Sequence, residues 1–562
     1  MVAIGNEHTR IDELAVNETV DLRMAGSWSD DPRWPQRRVE AWTLAFLILG
    51  IVLRLTRYAL CHPLWGDEAF LAYNLIDRDF VGLMKPLDYV QVCPLLFLWA
   101  EKFVVNILGF SELSLRLIPT LASIAGLILF RHVAGRLLKG PALPLAVAIL
   151  AVGFYPVRHG GEIKPYSIDF LAALALIGLV IEWLSRPDRD RALWALCLIG
   201  PIAIGFSNPA IFVAASVGIV LMIPILKTKR LTAFLALGIF GVGTIATFLI
   251  LLRGVTGSQS ASVMEAMSAY WVDSFPPRKF VSFVVWFVRV HVSQMFAYPA
   301  GGAGGASTLT SGLVLAAIVA YLRRGSRVVL GLFLLPFAMG LIAALLGRYP
   351  YGGSARTMQY IAPAIILMAG LGGAVLLSRL RNPQIGERAM RMSLVLLVFV
   401  GLWLVGWDCT HPYKSIFDRE SRNFAKQLWS TESTNAELAC ARNDLDVRLD
   451  PLGWRGDRAA IYLCQQAMYS PRHRVRSRLA IDRVSADHPL RAVVFAEKPE
   501  DQSGIAAWLV EMKRNFELRD RKEVVVNRGI NSKAGYFEDR YVFYEFVPLT
   551  SVAKARSASL HR

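Results

Sequence analysis

The sequence predicts a polytopic, all-helical membrane domain followed by a small α/β domain. Three observations carry this. The 562 residues are 54% hydrophobic and only 19% charged, against roughly a quarter charged in soluble domains, and the mean hydropathy is +0.42. The apolar residues fall in blocks of about 20 residues, the length that crosses a bilayer. Every second gap between blocks is rich in Lys and Arg, as cytoplasmic loops are.

In chain order, residues 1–39 are polar and mixed in charge. They lack the basic, apolar, small-residue order of a secretory signal and read as a disordered cytoplasmic tail. Apolar blocks follow near 41–60, 115–138, 142–158, 167–184, 192–206, 209–226, 231–252, 307–322, 328–346, 358–378 and 392–408, about eleven spans. Arg37 and Arg38 precede the first, and the clusters beginning at Arg136, Arg186, Lys227, Arg323 and Arg379 follow alternate spans. The N-terminus and these loops are therefore expected in the cytoplasm, and 61–114, 159–166, 253–306, 347–357 and the tail outside. The same loops explain the formal charge of +17, so no nucleic-acid partner is called for.

The membrane domain is placed at 40–408. Within its large outer loops, 94–110 and 279–296 are apolar but interrupted by charge, and read as helices lying at the interface. From 409 to 562, helix-like and strand-like stretches alternate (ESRNFAKQLW, ELACA, RAAIYLCQQAM, LRAVVFA, SGIAAWLVEMKRNF, YVFYEFV), which predicts an extracytoplasmic α/β domain. Five of six cysteines lie outside the spans, on the oxidising side, and Cys440 with Cys464 is the first choice of bridge.

Three outer loops carry the candidate chemistry. "LWGDEAF" puts Asp67 and Glu68 at a helix start, where carboxylates stay ionised and can serve as a base; a plain helix cap is the ordinary alternative. "GEIKPYSID" places Lys164 just before a helix N-terminus, a natural anion site. Asp169 lies one turn into the following span near Tyr166, and an acid inside a span is a functional candidate unless it simply pairs with Lys164 or Arg158. "GRYPYGGSART" offers Arg348 and Arg356, whose planar forks suit phosphate, although either can instead snorkel to headgroups. No His or Cys cluster suggests a metal; Asp67 and Glu68 alone could hold a divalent cation weakly.

These stretches, together with "CPLLFLWAEKF", "LGFSELSLRLIPTLASIAGL" and "SARTMQYIAPAII", resemble the GT-C superfamily of membrane glycosyltransferases. Within it they resemble the branch of protein O-mannosyltransferases, lipid A aminoarabinose transferases and core galacturonosyl transferases, over roughly residues 40–380. The resemblance implies a GT-C fold with Asp67 as catalytic base and Glu68 in support. It also implies a polyprenyl- or dolichyl-phosphate sugar donor, inversion in one displacement, and no nucleotide sugar or metal cofactor. Some relatives carry a lysine before the proline of the PLLF-like motif, where this chain has Cys93. Phosphate binding would then fall to Lys164, Arg356 or Lys85, with Arg348, Glu162, Tyr166 and Asp169 completing the substrate site.

The expectation is a lipid-phosphate-sugar-dependent hexosyl or pentosyl transferase of the bacterial inner membrane, acting on a glycan, lipid or protein. The rival is a transporter or flippase using the same polar groups as a path. It is disfavoured by the lack of an internal repeat and of charge at mid-span.

Overall fold

A computed structural model describes residues 34–253, 269–324, 327–411, 416–430, 437–441, 457–470, 489–496, 503–531 and 535–549. Most of the expected tail at 1–39 lies outside these residues. Every apolar block of the sequence is helical: α1 (Gln36–Ala59), α4 (Ser114–Leu137), α5 (Ala142–Val152) with α6 (Phe154–Gly160), α7 (Tyr166–Ser185), α8 (Arg191–Phe206), α9 (Ala210–Thr228), α10 (Leu231–Leu251), α12 (Thr308–Arg324), α13 (Arg327–Leu345), α14 (Ala362–Ser378) and α15 (Pro383–Thr410). Between them lie α2 (Gly66–Asp77), α3 (Leu95–Leu108) and α11 (Phe280–His291).

The chain is an integral membrane protein. Among the described residues seven helices are long and apolar enough to span, and the bent pair α5–α6 makes an eighth. Helices α8, α12 and α14 have 16, 17 and 17 residues. At 1.5 Å per residue they measure about 24–26 Å, short of the ~30 Å hydrocarbon layer.

Helices α5 and α14 form the middle of the bundle, and every residue of α5 is buried. They approach closely because Gly370 faces Ala146, where an added Cβ would lie 2.5 Å from the alanine Cβ. A Cβ at Gly372 would meet the Leu313 carbonyl of α12. Small residues at such crossings let helices pack where lipid supplies no hydrophobic drive.

The 50° bend between α5 and α6 falls at Gly153, before Pro156, which has no N–H to continue the ladder. Arg54 of α1 occupies the gap. Its guanidinium donates to the carbonyls of Gly50 (2.9 Å), Leu150 (3.2 Å) and Ala151 (3.1 Å) and to Ser123 Oγ (2.8 Å). We expect Arg54→Leu to remove these four hydrogen bonds, at about 0.5–1.5 kcal/mol each. The loss would be read as a lowered unfolding temperature in detergent; an unchanged temperature would mean that water replaces the guanidinium.

The C-terminal part contains α16 (Ile416–Ser430), α17 (Asp457–Tyr469), α18 (Ser503–Met512) and a four-stranded sheet in the order β1 (Glu437–Ala441), β2 (Leu490–Ala496), β4 (Gly535–Pro548), β3 (Phe516–Asn531). β1 and β2 run parallel, and β4 is antiparallel to β2 and β3. This is the expected α/β class with one strand unforeseen. β3 reads as polar chain because it is an edge strand studded with charges, such as Arg519 facing Glu545 and Glu523 facing Arg540, a common guard on an open edge. The expected Cys440–Cys464 bridge is not formed. Cys464 is a free, buried thiol packed on α2 instead, its Sγ 3.7 Å from the Ala69 carbonyl oxygen; the Cys440 side chain lies outside the described residues.

Candidate active site

The acidic pair opens α2 and divides its labour. Glu68 turns inward and is 1% exposed. Arg116 of α4 grips it with both arms, Nε to Oε1 at 2.9 Å and Nη2 to Oε2 at 2.7 Å. The Ile163 N–H adds a bond to Oε1 at 3.0 Å. Arg116 also donates to the carbonyls of His62 and Pro63. Such a bidentate, charge-assisted pair fixes orientation as well as energy. Glu68 is thus a bolt between α2, α4 and the 161–165 loop.

Asp67 faces the other way. Its side chain is 28% exposed, and Oδ2 accepts a bond from Arg356 Nη1 at 2.5 Å. Arg356 comes from the loop before α14, 289 residues away in sequence. Its second arm donates to Tyr270 Oη at 2.9 Å, and its guanidinium stands 4.9 Å from the centroid of the Trp271 ring, a cation–π distance. Burial alone would lower the Arg356 pKa, but Tyr166, Asp67 and Tyr270 raise it further, so the group stays cationic.

Lys164 is the second cation. It is buried, and Nζ donates to Gln91 Oε1 at 2.7 Å. Burial lowers its pKa, while Asp67 and then Cys93 pull it back. Burial pushes the Cys93 thiol up, with only partial relief from Lys164.

Glu162 is not open to a substrate. It accepts from Arg158 Nε at 2.6 Å and lies 3.2 Å from His159 Nδ1. Burial raises its pKa, yet Arg158 and His159 lower it by more, to well below the usual carboxylate range. Tyr166 packs edge-on against His159, centroids 4.9 Å apart. Asp169 pairs with neither Lys164 nor Arg158; its Oδ1 is buried without a hydrogen-bond partner.

The structure thus gathers Asp67, Glu68, Lys164, Arg356 and Tyr166 at one end of the bundle, with Glu162 and Asp169 behind them. Arg348 and Lys85 are exposed, and Lys85 lines an open depression with Arg78, Asp79 and Pro86. Sequence reasoning did not find Arg116, Gln91, Tyr270 or Trp271. Arg116 lies inside the quoted stretch "LGFSELSLRLIPTLASIAGL" but was given no role there. Among the described residues no three His, Cys, Asp or Glu side chains gather as a metal site requires. A cation between Asp67 and Glu68 would have to displace two arginines.

No family model matches the chain, and no curated protein matches its sequence. Solved structures do. The chain is similar to ArnT from Cupriavidus metallidurans bound to undecaprenyl phosphate, at 13% identity and a TM-score of 0.51, over 90% of this chain and 98% of that one. The apo state of that protein matches at 12% identity and 0.49 over the same shares. The archaeal oligosaccharyltransferase AglB from Archaeoglobus fulgidus matches at 11% and 0.44, over 89% and 74%. The first likeness shows that the chain shares the fold of that ArnT structure, as the GT-C resemblance implied.

Proposed function

We propose that this GT-C chain is a glycosyltransferase that moves a sugar from a polyprenyl-phosphate donor to a hydroxyl of an extracytoplasmic glycan, lipid or protein, with inversion. The observation that carries the reading is one partly open carboxylate, Asp67, sharing its site with two cations, Arg356 and Lys164. The similar ArnT structure holds undecaprenyl phosphate, which is the class of leaving group that two cations suit.

The chemistry follows from charge and geometry. The acceptor oxygen attacks the anomeric carbon as the bond to the phosphate oxygen breaks. Asp67 takes the hydroxyl proton. The departing phosphate gains one negative charge, which Arg356 and Lys164 offset. A single displacement with one base inverts the anomeric centre, as in inverting glycosidases. Arg356 is bonded to Asp67. A phosphate drawing that guanidinium away would bind and free the base in the same movement. Glu68, saturated by Arg116, would then support the reaction by position alone.

On this reading residues 40–408 form the catalytic membrane domain. The tail 1–39 is cytoplasmic, and 409–562 lies outside, in a bacterial inner membrane. The test is purified protein in detergent with a panel of radiolabelled polyprenyl-phosphate sugars and membrane extract. Turnover of one donor is expected. Failure to bind any of them, with a lipid or solute carried across vesicles instead, would replace the enzyme with a transporter.

A further inference from the structure

The C-terminal α/β part touches the site from behind. The turn that feeds α2 includes Cys61 at φ +44°, a left-handed backbone that a residue with a side chain adopts only when its surroundings hold it there. Two arginines do the holding. Arg116 binds the carbonyls of residues 62 and 63 from the membrane side. Arg422 of α16 donates from the other side to the Cys61 carbonyl at 2.5 Å. Arg422 also lies 3.8 Å from Glu112 Oε1, and that same carboxylate oxygen accepts the Tyr469 hydroxyl of α17. Below this latch, Ala460, Ile461 and Cys464 of α17 share an apolar core with Ala69, Ala72 and Leu75 of α2. One long face of the helix that bears Asp67 is therefore covered by the C-terminal part.

We infer that this part is a positioning element of the site: Arg422 and Tyr469, through the Cys61 carbonyl and Glu112, set the entry of α2 and so the aim of Asp67. The inference rests on Asp67 being the base. It differs from a role as a detached acceptor-binding module, which would leave α2 to be held by the membrane helices alone. Neither residue touches substrate. They act on rate by fixing geometry, where a displacement near 1 Å can cost about 10²-fold.

The test uses the full chain with Arg422→Ala, Arg422→Lys and Tyr469→Phe, and Arg519→Ala on the exposed β3 edge as control. Hydrogen–deuterium exchange over residues 62–77 needs no substrate, and local opening is what it reports. Arg422→Ala should raise exchange there about tenfold and lower kcat roughly ten- to a hundredfold while donor KM stays within about twofold, because Arg356 and Lys164 keep their places. Arg422→Lys, which can still donate to Cys61, should recover most of both. Tyr469→Phe should move both the same way by less.

Exchange at 62–77 no faster than in the Arg519→Ala control would overturn the inference, as would unchanged kcat. Loss of kcat together with faster exchange throughout the chain would also overturn it, since that signals general unfolding. Faster exchange confined to 62–77 with no donor turned over by wild type or variant would uphold the positioning contact and remove the transferase reading instead.

Discussion

Asp67→Asn is expected to lower transfer by about 10²–10⁴-fold, the usual contribution of a positioned general base, while leaving donor binding intact. Asn keeps the shape of the side chain and can still accept one hydrogen bond, but it cannot take the acceptor's proton. It also no longer pairs with Arg356 as an ion. That guanidinium should then be freer to meet a phosphate, so donor affinity should hold or rise rather than fall. Single-turnover transfer measured beside equilibrium donor binding separates the two effects. Full transfer by the variant would remove Asp67 from the base role. Donor affinity falling as far as the rate would mean that Asp67 binds the sugar instead.

The second large effect is on stability. Arg116 and Glu68 are 4% and 1% exposed. Replacing a buried pair by apolar groups is often tolerated, but removing one partner strands the other charge, typically at about 3–5 kcal/mol. Arg116→Ala should therefore cost more than Glu68→Gln, because it also releases the carbonyls of residues 62 and 63. Joint replacement, Arg116→Met with Glu68→Leu, should recover part of the stability but not the aim of α2. Thermal unfolding in detergent ranks the three variants. Equal loss in Arg116→Ala and in the double variant would show that no stranded charge is involved.

Much of the architecture was legible because membrane helices are written as length and apolar composition, and those properties belong to contiguous residues. The α5–α6 bend was not, since one Gly and one Pro inside a span are common and their effect depends on Arg54, about 96 positions distant. The acidic pair was legible as a pair but not as two opposed roles. Glu68 is set apart from Asp67 by Arg116, 48 residues on, and nothing near residue 68 announces that partner. Arg356 was found because an arginine fork in an outer loop suits phosphate. Tyr270 and Trp271 became part of the site only through the turn of chain that brings them under Arg356. Local signals name the residue types; the long-range contacts decide which of them face an opening.

The three short helices have a consequence for how a lipid meets this protein. α8 ends at Phe206 with Gly205 against Leu96 of α3, and α14 begins at Ala362, just after the loop that carries Arg356. Helices that stop early leave irregular backbone at depths where lipid tails would otherwise lie, which is tolerated only against protein or water. On the proposed reading, a donor anchored by a long tail would keep that tail in oil while its phosphate meets Arg356, and a soluble acceptor would come from the water side, so the two reactants would approach Asp67 along separate routes.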